Sequence, residues 1–176
     1  MKIQIVSGSP RQGNSEYIAK KIFENINADK ELILLREKNI KYCDGCDKCA
    51  NSTCRINDDM VEIYPMMEKA DLFVFVTPNY FENVSGLMKV FIDRTNYFYF
   101  NQKLKGKKII NIIIGGQGKK SAKKAIKNAW QCVIFSHKLI PLADFFFKAE
   151  GMSDVEKSAA GNQQIVEIVK LINGLE

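Results

Sequence analysis

Four of the five cysteines lie close together in the chain, at Cys43, Cys46, Cys49 and Cys54. The C-x2-C-x2-C start is typical of cysteines that bind an iron–sulfur cluster. Four thiolates also suit tetrahedral zinc, but zinc ligands usually come as two separated pairs, so the spacing favours [4Fe–4S]. Reduced thiols without a metal are the remaining alternative. A disulfide is disfavoured, because the chain is predicted to be cytoplasmic.

A second polar group follows the first apolar stretch. The segment SGSPRQGNS, residues 7–15, offers three hydroxyls, an amide, a guanidinium and the N–H groups of a predicted helix start. Such a loop can hold a dianionic phosphate, helped by the helix dipole. Since it lacks both G-x-G-x-x-G and the Walker lysine, we expect a mononucleotide phosphate. The absence of a cysteine here disfavours a cysteine-dependent phosphatase, and the absence of an acidic cluster disfavours a phosphoacceptor domain.

Two further loops have the composition of a ring-binding site. TPNYFENVSG, residues 77–86, combines two aromatic rings with amides that can bind the edge of a heterocycle. GGQGKK, residues 115–120, has three glycines that allow close backbone approach, and two lysines that favour a ring that becomes anionic on reduction. The alternative for this loop is a plain glycine turn.

The elements that must position these loops alternate along the chain. Apolar stretches predict five strands, at residues 2–8, 31–37, 70–78, 107–116 and 143–151. Helical periodicity separates them, which predicts an α/β doubly wound parallel sheet with the flavodoxin-like order 2-1-3-4-5. In that fold, ligands bind beyond the carboxyl ends of strands 1, 3 and 4, where the three loops begin.

Several local features refine the helices. Asp59 and Glu62 have capping-box spacing, and Pro65 predicts a break in the helix that follows. Lys89 and Asp93 are spaced to pair on a helix surface, which favours a structural role. Cys132 is predicted to be buried. His137, which precedes the last strand, is expected to have no functional role.

The bulk composition fits a single soluble domain. The chain has 176 residues, 46% hydrophobic, with a net charge of +6. No apolar segment is long enough for a membrane helix or resembles a signal peptide, so we expect a cytoplasmic protein without a membrane partner. The lysine-rich segments indicate a solvated basic face, and no nucleic-acid-binding motif is evident, so we expect no nucleic-acid partner.

The motifs together resemble those of NADPH-dependent FMN reductase-like flavoproteins. GSPRQGNS is similar to their phosphate loop, and TPNYFENVSGLMKVFIDR is similar to their second flavin loop. The four-cysteine motif, with the NDDM that follows it, resembles that of the iron–sulfur flavoprotein branch. The similarity covers about residues 1–116.

This resemblance implies FMN bound at a homodimer interface, with NAD(P)H as co-substrate and electrons passed to a small-molecule or ferredoxin-like acceptor. A homodimer or tetramer is expected, and the aromatic run 94–102 would cover the flavin, form the dimer contact or belong to the core. The chemistry belongs to the flavin, so no catalytic side chain is expected. The residues that the resemblance assigns to FMN are Ser9, Arg11, Gly13, Asn14, Ser15, Pro78, Asn79, Tyr80, Phe81, Asn83, Val84, Gly115, Gly116 and Gln117.

Overall fold

The fold is a five-stranded parallel sheet, seen in a computed structural model that describes residues 1–175. The strand order is β2-β1-β3-β4-β5, as the sequence predicts. Fully buried apolar strands such as β3 and β4 are typical of a parallel sheet covered by helices on both faces. The strands are β1 (Lys2–Ser7), β2 (Asp29–Leu34), β3 (Leu72–Pro78), β4 (Lys108–Gly115) and β5 (Ile140–Lys148).

Seven helices connect and cover the strands of residues 1–175. On one face, α1 and α7 pack their isoleucines against the sheet. On the other, α2 to α5 form a more aromatic core, in which Trp130 stacks on Phe75 at 4.3 Å between ring centroids. The helices are α1 (Asn14–Asn25), α2 (Met60–Lys69), α3 (Gly86–Arg94), α4 (Tyr97–Asn101), α5 (Lys119–His137), α6 (Asp154–Lys157) and α7 (Ala159–Asn173).

The predicted break at Pro65 is wrong, because α2 continues through it. Proline removes the amide that would bind the carbonyl of Val61, but Val61 is exposed, so water can satisfy that carbonyl. Burial of Ile63, Tyr64 and Met67 stabilises the helix on its other side. The predicted capping box is also wrong, since the Asp59 carboxylate accepts from the Asn39 N–H at 2.9 Å instead of capping α2.

Three other predicted elements shift. Strand β2 spans Asp29–Leu34 rather than residues 31–37. Strand β5 begins three residues earlier than predicted, at Ile140, and tolerates Pro141 because it is an edge strand. The aromatic run forms the short helix α4, in which Phe98 is buried while Tyr99 and Phe100 are exposed. Within residues 1–175, no helix has the length and apolarity needed to cross a membrane.

Candidate functional site

A cavity of about 350 Å³ lies at the carboxyl edge of β1, β3 and β4. The sheet places it there because parallel strands direct all their carboxyl ends to one edge, where ligands of this fold bind. Ten of the fourteen predicted FMN residues lie on its wall. They are Ser9, Arg11, Gly13, Asn14, Ser15, Pro78, Asn79, Tyr80, Gly115 and Gly116.

The loop after β1 is closed by its own hydrogen bonds. The Ser9 hydroxyl donates to the Arg11 carbonyl at 2.7 Å, and the Arg11 N–H returns a longer bond to it. Helix α1 then begins after Gly13 with no side-chain cap, which leaves its first N–H groups available to an anion. Together with the exposed Arg11 guanidinium, this arrangement suits a phosphate.

Gly8 locks this loop against the loop after β3. Its N–H donates to the Val76 carbonyl at 2.8 Å, and its carbonyl accepts from the Ser85 hydroxyl, which also caps α3. A Cβ at Gly8 would lie 2.7 Å from the Cβ of Met88. Only glycine allows this approach, so the relative position of the two loops is built into the chain.

A polar chain links the loops after β3 and β4. The Ser121 hydroxyl donates to the Gln117 side chain, so it accepts from Asn79 Nδ2, at 2.8 Å. This orientation leaves Asn79 Oδ1 buried without a partner among residues 1–175. A buried, unpaired acceptor on a cavity wall suits a ligand N–H, such as one on a flavin ring. Gly115 approaches Asn79 so closely that a Cβ would lie 3.0 Å from the Asn79 Cβ.

Four of the predicted FMN residues lie outside the cavity wall. Phe81 sits at the tip of a tight turn with a left-handed backbone, φ 52°, and its side chain is fully exposed. Asn83 accepts from the Val84 N–H, and Val84 is buried in the core. Gln117 is exposed and accepts a hydrogen bond from the Ser121 hydroxyl. Contact of these residues with FMN therefore stays a prediction.

The sequence prediction missed a fourth wall segment, Ala149–Met152, which follows β5. The Asn14 amide ties it to α1 by donating to the Gly151 carbonyl at 2.7 Å and accepting from the Val155 N–H at 3.0 Å. The Asn14 side chain therefore makes structural hydrogen bonds within the wall. Only the backbone N–H of Asn14 remains a predicted phosphate donor. A signal was present in the sequence, since a strand end followed by EG is the same kind of position as the other three loops.

The cysteine loop follows β2 and lies apart from this cavity, since none of its residues is on the cavity wall. Cys43, Cys46, Cys49 and Cys54 are all free and partly buried, so the disulfide alternative is disfavoured by the structure also. Burial is the main cause that raises the pKa of the Cys49 thiol, and the three neighbouring thiols add to the rise.

A buried ion pair closes the base of the cysteine loop. The Arg94 and Asp58 side chains are 1% and 0% exposed and form a two-pronged pair. Arg94 also donates to the Lys41 carbonyl at 2.8 Å, and Asp58 accepts from the Lys41 N–H at 2.9 Å. Burial alone would raise the pKa of Asp58, but Arg94 and the N–H groups of Lys41 and Met60 hold it below the ordinary value.

Two N–H donors reach the sulfurs of this loop. Arg94 Nη2 lies 3.6 Å from Cys54 Sγ, and Asn96 Nδ2 lies 3.9 Å from Cys49 Sγ. Such contacts suit thiolate ligands, and the four-thiol donor set has the chemistry of an iron–sulfur site. The geometry does not match it, because no group of three or more potential metal ligands within residues 1–175 is gathered closely enough to hold an ion.

Two predictions about α5 are corrected or extended. Cys132 is exposed rather than buried, because Ala129 and Trp130 occupy the core-facing side of that part of the helix. His137, the last residue of α5, is buried and contacts Thr95.

The predicted Lys89–Asp93 pair is present on the surface of α3.

The fold defines a flavodoxin-like protein with a cavity at the carboxyl edge of its sheet, and comparison with known proteins gives the family. Residues 1–149 match the model of the NADPH-dependent FMN reductase family. The chain belongs to this family of FMN-dependent flavoprotein oxidoreductases.

Curated relatives agree with this assignment, and a solved structure shares the fold. An iron-sulfur flavoprotein of Archaeoglobus fulgidus is 37% identical over 68% of this chain and 57% of its own length. An iron-sulfur flavoprotein of Methanosarcina thermophila is 28% identical over 97% of this chain and 92% of its own. The chain spans only 57–60% of the length of three iron-sulfur flavoproteins of Archaeoglobus fulgidus that it matches. The NAD(P)H:quinone oxidoreductase from Methanothermobacter marburgensis shares the fold, with a TM-score of 0.78 at 14% identity, covering 100% of this chain and 96% of that one.

Proposed function

We propose that this protein is an FMN oxidoreductase that accepts hydride from NAD(P)H and passes the electrons to an acceptor. The observation that carries the proposal is the cavity at the carboxyl edge of the sheet. Among residues 1–175, it combines a helix start without a side-chain cap, beside Arg11, with a buried acceptor on Asn79 that has no partner. Bound FMN would supply the hydride-accepting ring, which no side chain of the chain can replace.

The residues divide by the part of FMN that they suit. Arg11, Ser15 and the first N–H groups of α1 suit the phosphate, because they offer positive charge and donors. Tyr80 and the Asn79 amide suit the ring, and the glycines 115 and 116 let the backbone approach it. These side chains bind and orient the cofactor, and no proton transfer by the protein is required.

Reconstitution tests the proposal. Purified protein stripped of nucleotide should take up one FMN per chain and then lose its flavin absorbance anaerobically when NADPH or NADH is added. Arg11→Gln should weaken FMN binding about tenfold, since a charge-assisted bond to phosphate is lost. Lys127→Gln removes an exposed charge elsewhere and should leave the affinity unchanged. Failure to bind FMN would contradict the proposal, whereas binding without reduction would favour an electron carrier that has no nicotinamide site.

We further propose that the four cysteines hold a [4Fe–4S] cluster. The spacing, the names of the relatives and the N–H donors to Cys49 and Cys54 support it. Because the thiols are not gathered in the described geometry, loading would require movement of the loop. Iron and sulfide analysis of anaerobically prepared protein should give four of each per chain. Zinc in their place would favour the tetrahedral alternative, and metal-free thiols in protein that binds FMN would favour a plain flavin reductase or a thiol-based sensor.

The assembly and the acceptor also belong to this proposal. A homodimer or tetramer is expected from the family, and exposed Tyr99, Phe100 and Phe135 provide apolar surface for it. Sedimentation velocity of the FMN-loaded protein would give the number of chains. The acceptor is either a small molecule or a ferredoxin-like protein, and steady-state reduction of each by NADPH would distinguish them. Location in the cytoplasm, and the lack of a nucleic-acid or membrane partner, stay predictions.

A further inference from the structure

A second cavity, of about 680 Å³, lies between the cysteine loop, α3, α4 and α5. It shares no wall residue with the FMN cavity. Its volume falls in the range of small-molecule sites in proteins. Cys43 comes from the cysteine loop, Tyr99 gives an aromatic wall, and Ile92, Ala129 and Val133 give an apolar one.

His137 is the unusual member of this wall. It is only 3% exposed, and its Nε2 lies 3.1 Å from the Thr95 hydroxyl oxygen. That hydroxyl donates its one hydrogen to the Ile92 carbonyl at 2.7 Å, so toward the ring it can only accept. Nε2 therefore carries a proton.

The other ring nitrogen is consequently an acceptor. Burial lowers the pKa of His137, which keeps the imidazole neutral near pH 7. With the proton on Nε2, Nδ1 presents a lone pair, and it has no hydrogen-bond partner among residues 1–175. A buried polar atom without a partner is rare, and a donor that enters the cavity would complete it.

The charges on the wall restrict what the ligand can be. Lys89 and Asp93 are paired with each other, so neither offers a free charge to a ligand. The remaining wall is uncharged. Apolar and aromatic side chains lie there beside the imidazole, together with the polar but neutral Asn96, Asn128 and Ser136. A phosphate or carboxylate would find only Lys89 as a cation here, and Lys89 is already paired with Asp93, whereas a flat neutral molecule with a donor would match the imidazole and the apolar wall.

We propose that this cavity binds a small planar neutral molecule that donates an O–H or N–H hydrogen bond to His137 Nδ1, a phenol or hydroquinone being the matching class. The site lies beside Cys43 and away from the FMN cavity. The binding claim does not depend on the proposed function. If that function holds, the cavity would hold a hydroquinone, the reduced product of a quinone acceptor, next to the cysteine loop.

Calorimetric titration of the purified protein, as isolated, with α-naphthol and with its methyl ether tests the proposal. The two probes share a flat ring system, but only the naphthol has a donor. We expect one naphthol per chain, bound at least about tenfold more tightly than the ether, because a buried acceptor is satisfied only by the donor. Equal affinity for the two probes would overturn the proposal.

Matched variants of Cys132 locate the site. Cys132 is an exposed wall residue, so Cys132→Phe should fill the cavity without disturbing the core and reduce naphthol affinity at least about tenfold, while Cys132→Ser should not. His137→Phe should abolish the preference for naphthol over the ether, provided that the variant folds. Unchanged naphthol binding by Cys132→Phe would mean that the probe binds elsewhere, for instance against the flavin, and would overturn the proposal. Loss of self-association in Cys132→Phe would assign the face to a second copy of the chain and would also overturn it.

Discussion

The loop after β1 and the cysteine loop after β2 leave neighbouring strands at the same edge of the sheet, but they are held in different ways. The first is fixed along its length by the Ser9 turn, by Gly8 against the β3 loop and by Asn14 against the loop after β5. The cysteine loop is fixed at its base by Arg94 and Asp58, and its thiols are only partly buried.

The difference indicates how each site becomes ready for its ligand. The cavity proposed for FMN is already formed by hydrogen-bonded loops, so we expect binding to require little ordering of the chain. In the cysteine loop, N–H donors lie beside the sulfurs of Cys49 and Cys54, while the segment with Cys43 and Cys46 is crossed by an exposed Asp44–Arg55 ion pair. We therefore expect substitutions at the base of the cysteine loop to affect stability and the positions of the thiols. Substitutions at Gly8 and Asn14 should affect the affinity for FMN.

The largest effect is expected for Arg94→Leu. It leaves the Asp58 carboxylate buried without its partner, which should lower the free energy of unfolding by about 3–5 kcal/mol. Urea unfolding measures the loss. Replacing Lys89 by Gln at the exposed Lys89–Asp93 pair should cost less than about 1 kcal/mol. Similar losses in the two variants would show that the buried pair does not hold the loop.

Glycine substitutions compare the two loops directly. Gly8→Ala forces a Cβ to within 2.7 Å of the Met88 Cβ, which should lower the free energy of unfolding by about 1–3 kcal/mol. The same change should weaken FMN binding. Gly45→Ala meets nothing within 4 Å, so only its left-handed backbone, φ +67°, opposes the change, at about 1 kcal/mol. FMN titration should separate the variants, with Gly45→Ala binding normally. Equal FMN affinities for both would contradict the assignment of Gly8.

A smaller effect is expected for Asn14→Ala. Two hydrogen bonds to the segment after β5 are lost, at about 1–2 kcal/mol in total, and FMN should bind more weakly because the fourth wall loosens. Asn25→Ala is the matched control, since that amide bonds only to the exposed Lys21 carbonyl in the last turn of the same helix. An unchanged FMN affinity in Asn14→Ala would show that the segment after β5 does not contribute to FMN binding.

Acidification should produce the smallest effect, and it should be confined to the cysteine loop. The pKa of Asp58 is below its ordinary value, so its stabilising contribution is complete above the unfolded-state pKa of about 3.9 and is lost as the pH falls through the lower folded-state pKa. The Lys41 amide donates to Asp58, so its protection from hydrogen exchange, relative to the intrinsic rate at each pH, should fall below about pH 4. The protection of the Gly8 amide should fall less. The same loss of protection in Asp58→Asn would show that another group is responsible.

Much of this architecture could be predicted because it depends on local patterns. The apolar runs of β3 and β4 determine buried parallel strands, and the strand ends determine where the three loops meet. The fourth wall was missed because it depends on contacts between Asn14 and residues 151–155, which are distant in sequence. The outward direction of Phe81 comes from left-handed backbone at two residues without glycine, which no propensity predicts. Cys132 was misplaced because an apolar helix also has an exposed side.

FMN binding by a chain without the cysteine thiols tests the central claim most directly. The claim is that the cavity formed by the loops after β1, β3, β4 and β5 binds FMN independently of the cysteine loop. A variant with Cys43, Cys46, Cys49 and Cys54 all replaced by Ser should still take up one FMN per chain, with the affinity of the unmodified protein, and be bleached anaerobically by NADPH or NADH. A folded variant that stays colourless in excess FMN would contradict the claim.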